Sequence, residues 1–534
     1  MTNPIVVVGS GASGAHFALT ALENNRHVLM LDVGYGAREV VEPRQSLNGL
    51  KRNLPDPAGY FLGKDYESVI LPGNKGEYYG FPPSKQHVFR ANDWFAYKSD
   101  GFSPLVSFAT GGLAETWTAG CYPFDDSDLT AYPFTYRELE PYYSRVAKRI
   151  GLSGVQDDLA AVFPLHDGLQ PPLELDAHAA RLMHSYERRR AALQGKLHCR
   201  MGRARVAVLS RDLGARKACN YLGRCLWGCP SQSLYTPSIT INECRAYPQF
   251  QYVSGIYVDH LRTGANGRIQ KVVAKTASGH TEEFQADSVV LAAGTLGSAN
   301  IFLESMYRES GTAPQLSGLM DNRQIMMPFV NLGMLGRQWN PDSYQFHQLA
   351  MSVHVPNSSE AIHGLVTTLK TALIHPLVQT LPFDLGCSLS AFRSVHGALG
   401  LINVNLQDNR RNDNMVSLDT ASTPHRLSIT YRPDPGEPKK LAETISHFRR
   451  ILRKLGCFAP SGTIHIRPMG ASVHYAGTIP MQSSRKPLTC SVDCRSHDFD
   501  NLYFVDGTAF PFLPAKNLTF TLMANAARVA ERMN

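Results

Sequence analysis

"IVVVGSGASGAHFALTALENNRHVLMLDV", residues 5 to 33, opens with a β-branched apolar run that stops at Gly9. The spacing Gly9-x-Gly11-x-x-Gly14 follows, then helix formers from Ala15 to Asn24, then the apolar run "HVLML" leading to Asp32. That order predicts a strand, a tight turn, a helix and a second buried strand, which is a βαβ unit. In such a unit Gly9 permits the turn, Gly11 lets a pyrophosphate approach the backbone, and Gly14 lets helix and strand pack closely. Ala12 and Ser13 then lie at the helix N-terminus, whose free N–H groups attract phosphate charge. Asp32, eighteen positions beyond Gly14, is placed to take ribose hydroxyls.

Two later stretches bear on which dinucleotide binds. "FQADSVVLAAGTLGS", residues 284 to 298, reads as another buried strand, running into a glycine-rich turn at Ala293 and Gly294. "IYVDHLRTGANGRIQKVVAKTASGH", residues 256 to 280, precedes it and alternates like a small antiparallel meander. This order is that of FAD proteins of the two-dinucleotide type.

The rest of the composition sets bounds. The chain has 534 residues, 43% of them hydrophobic and 18% charged, enough for two or three domains. Its net charge of +8 includes Arg188, Arg189, Arg190, Arg449 and Arg450 in helix-like segments. A solvated face explains those clusters, so nucleic acid is not an expected partner. No apolar run is long enough to span a membrane, and a cytoplasmic location is expected. Reducing conditions favour thiols or metal ligands over disulfides among the ten cysteines.

Five separate stretches, in order along the chain, resemble the glucose-methanol-choline (GMC) oxidoreductases. They are the opening βαβ unit, "FATGGLAETWTAGCYPFDDSD" at 108 to 128 with the helix-like segment after it, "VVLAAGTLGSANIFLES", "HYAGTIPM" at 474 to 481, and "NLYFVDGTAFPFLPAKNLTFTLMANAARVAERM" at 501 to 533. The resemblance implies an α/β fold: an FAD-binding Rossmann-like domain with a β-meander, joined to an α+β substrate domain with an antiparallel sheet. It places residues 1–321 in the FAD-binding part, with interleaved substrate-domain segments. Residues 322–461 form the substrate domain, and 462–534 return to the FAD domain carrying the catalytic residues.

Carried over position by position, the resemblance assigns the cofactor to Gly9, Gly11, Gly14 and Asp32, to Gly111, Gly112, Thr116 and Trp117 beside the flavin, and to Val258 at the adenine. Asp506 and Gly507 hold the ribityl and pyrophosphate region, and Asn517, Leu518 and Thr519 begin the last helix beside the flavin. Thr116 stands where some sugar oxidases of the family attach FAD through a histidine, so non-covalent FAD is expected. A family Asp-His pair stands here as Asp321-Asn322, which leaves the role of the second residue open.

The implied reaction is oxidation of a CH–OH group, with proton abstraction by a base and hydride transfer to flavin N5. His474 matches the family base, and an imidazole of ordinary pKa, about 6.5, suits proton removal at neutral pH. Asn517 matches its partner; it orients the substrate hydroxyl and also reads as the N-cap of the last helix. A redox-neutral reaction on the same fold is the alternative.

"ACNYLGRCLWGCP" sets Cys219, Cys225 and Cys229 in a Cys-x5-Cys-x3-Cys pattern. A similar run binds a 3Fe–4S cluster in bacterial sugar dehydrogenases of the family. A loop without metal is the expectation, the cluster its alternative. Cys490 and Cys494 have helical spacing and no assigned role. The expected substrate is a sugar, a sugar-like polyol or another alcohol, and the acceptor is oxygen, a quinone or an electron-transfer protein.

On the substrate side, "HGALGLINVNLQDNRRNDNMVSLD" alternates like two strands of one sheet joined by a polar turn. "KKLAETISHFRRILRKLG" is amphipathic with helical period. The apolar segment 361 to 392 is expected to pack in the core. Should His474 not serve as the base, His347, His354 and His396 are the unassigned candidates of this region.

Overall fold

The strand Ile5–Val8 is buried along its whole length. It pairs in parallel with Val28–Leu31 on one side and Ser288–Leu291 on the other. Leu502–Phe504 and Phe250–Val253 extend the sheet at its two edges, again in parallel. A parallel sheet covered on both faces needs strands that are apolar throughout, which is why these segments read as runs. The computed structural model describes residues 4–36, 44–69, 81–264, 267–338, 340–355, 360–369, 378 and 381–533.

The helix Ala12–Glu23 follows the first strand, and Thr519–Arg532 packs beside it. The strands Ile256–Thr263, Ile269–Thr276 and Thr281–Gln285 form the antiparallel meander. After the glycine-rich loop, Tyr136–Ile150 is a helix whose start is fixed by a capping box between Thr135 and Glu138.

A second sheet is antiparallel and runs in the order Cys457–Phe458, Arg323–Asn331, Leu399–Leu406, Ala361–Thr368, Leu349–His354, Cys199–Arg203. One face is apolar: Met351, Ile362, Val366 and Ile402 join a core with Leu182 and Tyr186 of the helix Ala177–Leu197 and with Phe448 and Ile451 of Glu437–Lys454. Strand alternation puts the next residues on the opposite face. There Ser352, His363, Asn405 and Gln324 stand in register across four strands, all buried.

The structure corrects one pairing read from alternation. Leu399–Leu406 lies in this large sheet, but Met415–Asp419 leaves it and pairs with Arg426–Thr430 and Leu316–Ser317 in a different sheet. Alternation marks each strand and says nothing of its partner. Of the apolar segment 361 to 392, the strand Ala361–Thr368 is sheet core, while residues 370–377, 379 and 380 lie outside the described residues. No helix among the described residues is long and apolar enough to cross a membrane.

The cysteine loop also has a structural explanation. Trp227 is buried with Leu47, Leu50 and Phe61. The buried Arg224 donates to Gly228 O at 3.0 Å and to Tyr60 Oη at 2.9 Å, which ties the loop to the segment 44–69. All three cysteines of the loop are free. Burial pushes the Cys219 thiol up to about 11, and pushes Cys225 up as well, so both stay protonated at neutral pH. Among the described residues no group of three His, Cys, Asp or Glu side chains is placed to hold a metal ion, and the 3Fe–4S alternative is not supported. Cys490 and Cys494 are buried outside any helix, contrary to the spacing, and Asn525 Nδ2 donates to Cys494 Sγ at 3.4 Å.

Candidate active site

One cleft opens where the parallel strands end. Gly9, Ser10, Gly11, Ala12 and Ser13 line it from the first turn, and Asp32 from the end of the second strand. Gly111 and Gly112, Val258, Ala293 and Gly294, Asp506 and Gly507, and Leu518 and Thr519 complete its walls. Four residues assigned to the cofactor, Gly14, Thr116, Trp117 and Asn517, lie off it. A Cβ on Gly14 would stand 2.1 Å from Gly9 O, so that glycine serves the packing of helix on strand. The Thr116 hydroxyl donates to Leu113 O at 3.0 Å and the Trp117 indole to Tyr235 O at 2.7 Å, so both hold the glycine-rich loop from behind.

The cleft fits a dinucleotide on its own geometry. A Cβ on Gly11 would meet nothing within 4 Å, and one on Gly112 would come no closer than 3.4 Å, to Gly11 Cα. These two backbones therefore face open space across the cleft. Asp32 Oδ2 accepts from Tyr252 Oη at 3.0 Å and from the Ser10 hydroxyl. Ser10 Oγ in turn accepts from Gly111 N at 2.9 Å, which fastens the second glycine-rich loop to the first. Burial pushes the Asp32 carboxyl up to about 6, and Asp506 likewise. Asp506 accepts from Ser298 Oγ at 2.5 Å and from Thr508 N at 3.0 Å.

His474 stands on a loop beside this cleft, between Val473 and Tyr475, which line it. Asp321 holds that loop: its carboxylate accepts from Gly470 N at 2.7 Å, from His474 N at 3.1 Å and from the Ser472 hydroxyl. Val473 has φ +60°, a strained value for a β-branched residue, and the bonds to Asp321 on both sides of it keep it there.

Asn322 then fixes the ring. Its Nδ2 donates to Leu406 O at 2.8 Å and to Pro514 O at 3.0 Å, so its Oδ1 must face His474 Nδ1, 2.8 Å away. An amide oxygen only accepts, so Nδ1 carries the proton and Nε2 keeps a lone pair. Asn517 Nδ2 lies 3.4 Å from that Nε2. Burial, with the Arg467 charge second, pulls the His474 pKa down to about 4 rather than leaving it near the ordinary value. The imidazole is neutral at physiological pH.

Sequence patterns located His474 and Asn517 and left Asn322 without a role. The structure gives it one, the setting of the tautomer. Asn517 is not a cap: Leu518 occupies the N-cap position of the last helix, with no side-chain capping bond. Of the unassigned histidines, His347 has Nε2 2.6 Å from Thr118 Oγ1 and Nδ1 3.2 Å from Thr367 Oγ1, His354 ends its strand, and His396 is bonded to Arg393 O. Tyr122 and His363 lie next to this site, and no sequence pattern singled them out.

Residues 410–526 match the family model described as GMC oxidoreductase. The chain is 25% identical over 561 residues to 6'''-hydroxyparomomycin C oxidase of Streptomyces lividus, across 98% of this chain and 90% of that protein. It is 24% identical over 555 residues to paromamine 6'-oxidase of Streptomyces fradiae, across 99% and 90%. The solved structure of pyridoxine 4-oxidase from Mesorbium loti shares the fold with a TM-score of 0.61 at 15% identity, covering 100% of this chain and 99% of that one. Fold, cleft and relatives together define an FAD-dependent enzyme that oxidises a CH–OH group. Residues 410–526 carry the GMC oxidoreductase match, and the chain is similar along nearly its whole length to the oxidases named above.

Proposed function

We propose that this enzyme oxidises a hydroxyl group of a sugar or sugar-like polyol, with His474 as the base and FAD held without a covalent bond. The observation that carries the reading is the chain Asn322, His474, Asn517, which presents a neutral, correctly tautomerised Nε2 beside the nucleotide cleft. FAD, when bound, supplies the hydride acceptor. His474 Nε2 takes the hydroxyl proton as the carbinol carbon is oxidised. The Asn517 amide donates to the substrate oxygen and holds it at that nitrogen. Gly9, Gly11, Gly112, Asp32, Val258 and Asp506 hold the cofactor, with Asp32 at the ribose.

Several features support the finer points. Thr116, at the attachment position of some relatives, is bonded to Leu113 O and lies off the cleft, which supports a non-covalent cofactor. The two full-length relatives are named as oxidases, which supports dioxygen as acceptor and does not favour a redox-neutral reaction. All ten cysteines are free, in keeping with a reducing, cytoplasmic setting. The deciding experiment is anaerobic mixing of the holoenzyme with a panel of hexoses, polyols and simple alcohols, followed by admission of air. Lasting loss of the flavin band with a sugar-like alcohol, and its return with oxygen uptake, is the expected result. A band that no alcohol bleaches would overturn the reading. Acid precipitation should leave all the yellow colour in the supernatant.

A further inference from the structure

Two buried side chains next to His474, and the buried amide oxygen of a half-buried third, have no hydrogen-bond partner in the protein. His363 is 2% exposed, and neither Nδ1 nor Nε2 has a hydrogen-bond partner. Tyr122 is fully buried and its hydroxyl is likewise unpartnered. Asn517 Oδ1 is the third. Buried polar groups in folded proteins are overwhelmingly paired, because desolvating one without a partner costs free energy. Four unpaired atoms gathered in one cluster are therefore a feature to be explained.

Packing places the three side by side. The Tyr122 and His363 rings meet edge to face with centroids 4.3 Å apart, and Phe163 packs against both, 5.0 Å from the imidazole and 4.8 Å from the phenol ring. Gly120 has no side chain where one would collide: a Cβ there would lie 3.2 Å from Asn517 Oδ1 and 3.3 Å from Tyr122 Cε2. The missing side chain is what lets the Asn517 amide and the Tyr122 ring come together. His363 sits in mid-sheet, between Ser352 and Asn405 in register, so the backbone fixes its position. Burial, with the Lys516 charge second, keeps its imidazole neutral. The Lys516 ammonium is itself bonded to Asp125 at 2.8 Å, to Asp128 at 2.5 Å and to Val162 O at 3.0 Å.

We propose that Tyr122, His363 and the Asn517 carbonyl form a subsite for a second hydroxyl of a neutral polyol, next to the carbinol that His474 deprotonates. The proposal rests on the reading of function above and narrows its substrate class. A neutral imidazole offers one donor and one acceptor, a phenol offers both, and the amide oxygen accepts; a hydroxyl group both donates and accepts, and so matches each of them. The polar atoms of the three groups are enclosed by the protein. A substrate that shifts the Tyr122 ring and places a hydroxyl there satisfies them, whereas an alcohol lacking that hydroxyl leaves them unpaired. Sites built in this way discriminate strongly against the analogue that lacks the polar group.

The test compares kcat/KM for FAD reduction by a hexose and by a bare primary alcohol such as 1-propanol, in the wild-type holoenzyme and in Tyr122→Phe, His363→Leu and His363→Gln. The ratio of hexose to propanol should fall about ten-fold to a hundred-fold in Tyr122→Phe and His363→Leu, and recover in part in His363→Gln, whose amide again donates and accepts. A parallel loss with both alcohols would assign these residues to packing and overturn the subsite, as would an unchanged ratio. If Tyr122→Phe loses its FAD, the contrast between His363→Leu and His363→Gln decides by the same criterion. Failure of the wild-type enzyme to be reduced by any hexose or polyol would instead strike the underlying reading of function, and the subsite with it.

Discussion

At His474 the environment separates two properties that an exposed imidazole would keep together. Burial lowers the pKa to about 4, and Asn322 sets the tautomer, so the nitrogen facing the site is a free acceptor at every pH above that value. The sign is that of a base with a depressed pKa: the active neutral form predominates above about 4 and is lost as pH falls through it. FAD reduction should therefore fall in two steps as pH drops, one near 6 as Asp321 loses its charge and one near 4 as His474 is protonated, and only the second belongs to the imidazole. His474→Ala should slow anaerobic reduction by ~10²–10⁴ and remove that acid limb, with FAD content unchanged. Wild-type speed in this variant would transfer the role of base elsewhere. Asn322→Leu keeps the volume and loses the acceptor, so the ring can flip or take the other tautomer. Its expected cost is roughly 10²-fold in the reduction rate at unchanged FAD content, read by stopped-flow absorbance. The family pattern pointed to residue 474 as the proposed base, but nothing in the one-dimensional order brings residue 322 to residue 474. That contact comes from the hydrogen bonds of Asn322 to Leu406 O and Pro514 O.

Among the elements, the first βαβ unit is the most legible. Its strands are buried on both faces and so apolar throughout, and its turn needs glycines whose spacing can be seen directly. The structure then divides the glycines by task. A side chain on Gly11 projects into open cleft, whereas one on Gly14 collides with the backbone of Gly9. Gly11→Leu should fold and unfold like the wild-type apoprotein yet retain no FAD, because the leucine occupies cofactor space and touches no protein. Gly14→Val should fail earlier, at the level of soluble folded protein, since helix and strand can no longer approach. Circular dichroism and the flavin absorbance of the purified variants distinguish the two outcomes, and equal behaviour would mean that both glycines serve the same purpose. The strands Leu399–Leu406 and Met415–Asp419 show where such legibility ends. Each was visible from its alternation, but the polar turn between them carries the chain from one sheet to another, and period alone cannot distinguish that from a hairpin.

Over the whole molecule, two cores with different neighbours meet at one small set of polar residues. Asp321 and Asn322 sit where the chain enters the large antiparallel sheet at Arg323, and Asp408 follows the strand Leu399–Leu406 at the same end. Asp408 N donates to Leu513 O at 2.9 Å and Asp321 N donates to Asp408 Oδ2 at 3.1 Å, while the Asp321 carboxylate holds the loop of His474. The large antiparallel sheet and the loop of His474 are thus fastened through two buried carboxylates, Asp408 and Asp321. Burial raises Asp321 to about 6, so it is ionised at neutral pH and accepts its three bonds as a charged acceptor, which are the stronger kind. Protonation below about 6 weakens them. Asp321→Ala should therefore leave FAD bound, because the glycine-rich turns, Asp32 and Asp506 proposed to hold it stay in place, and yet slow reduction roughly 10²-fold by releasing Val473 from its strained conformation and His474 from its alignment. The loss should appear in the limiting reduction rate more than in the substrate concentration needed for half saturation, since the mutation disturbs the base and spares the proposed hydroxyl contacts of Tyr122 and His363. A variant that reduced FAD at the wild-type limiting rate would show that the loop holds its shape without the carboxylate, and the coupling of sheet to base would have to run through Asn322 alone.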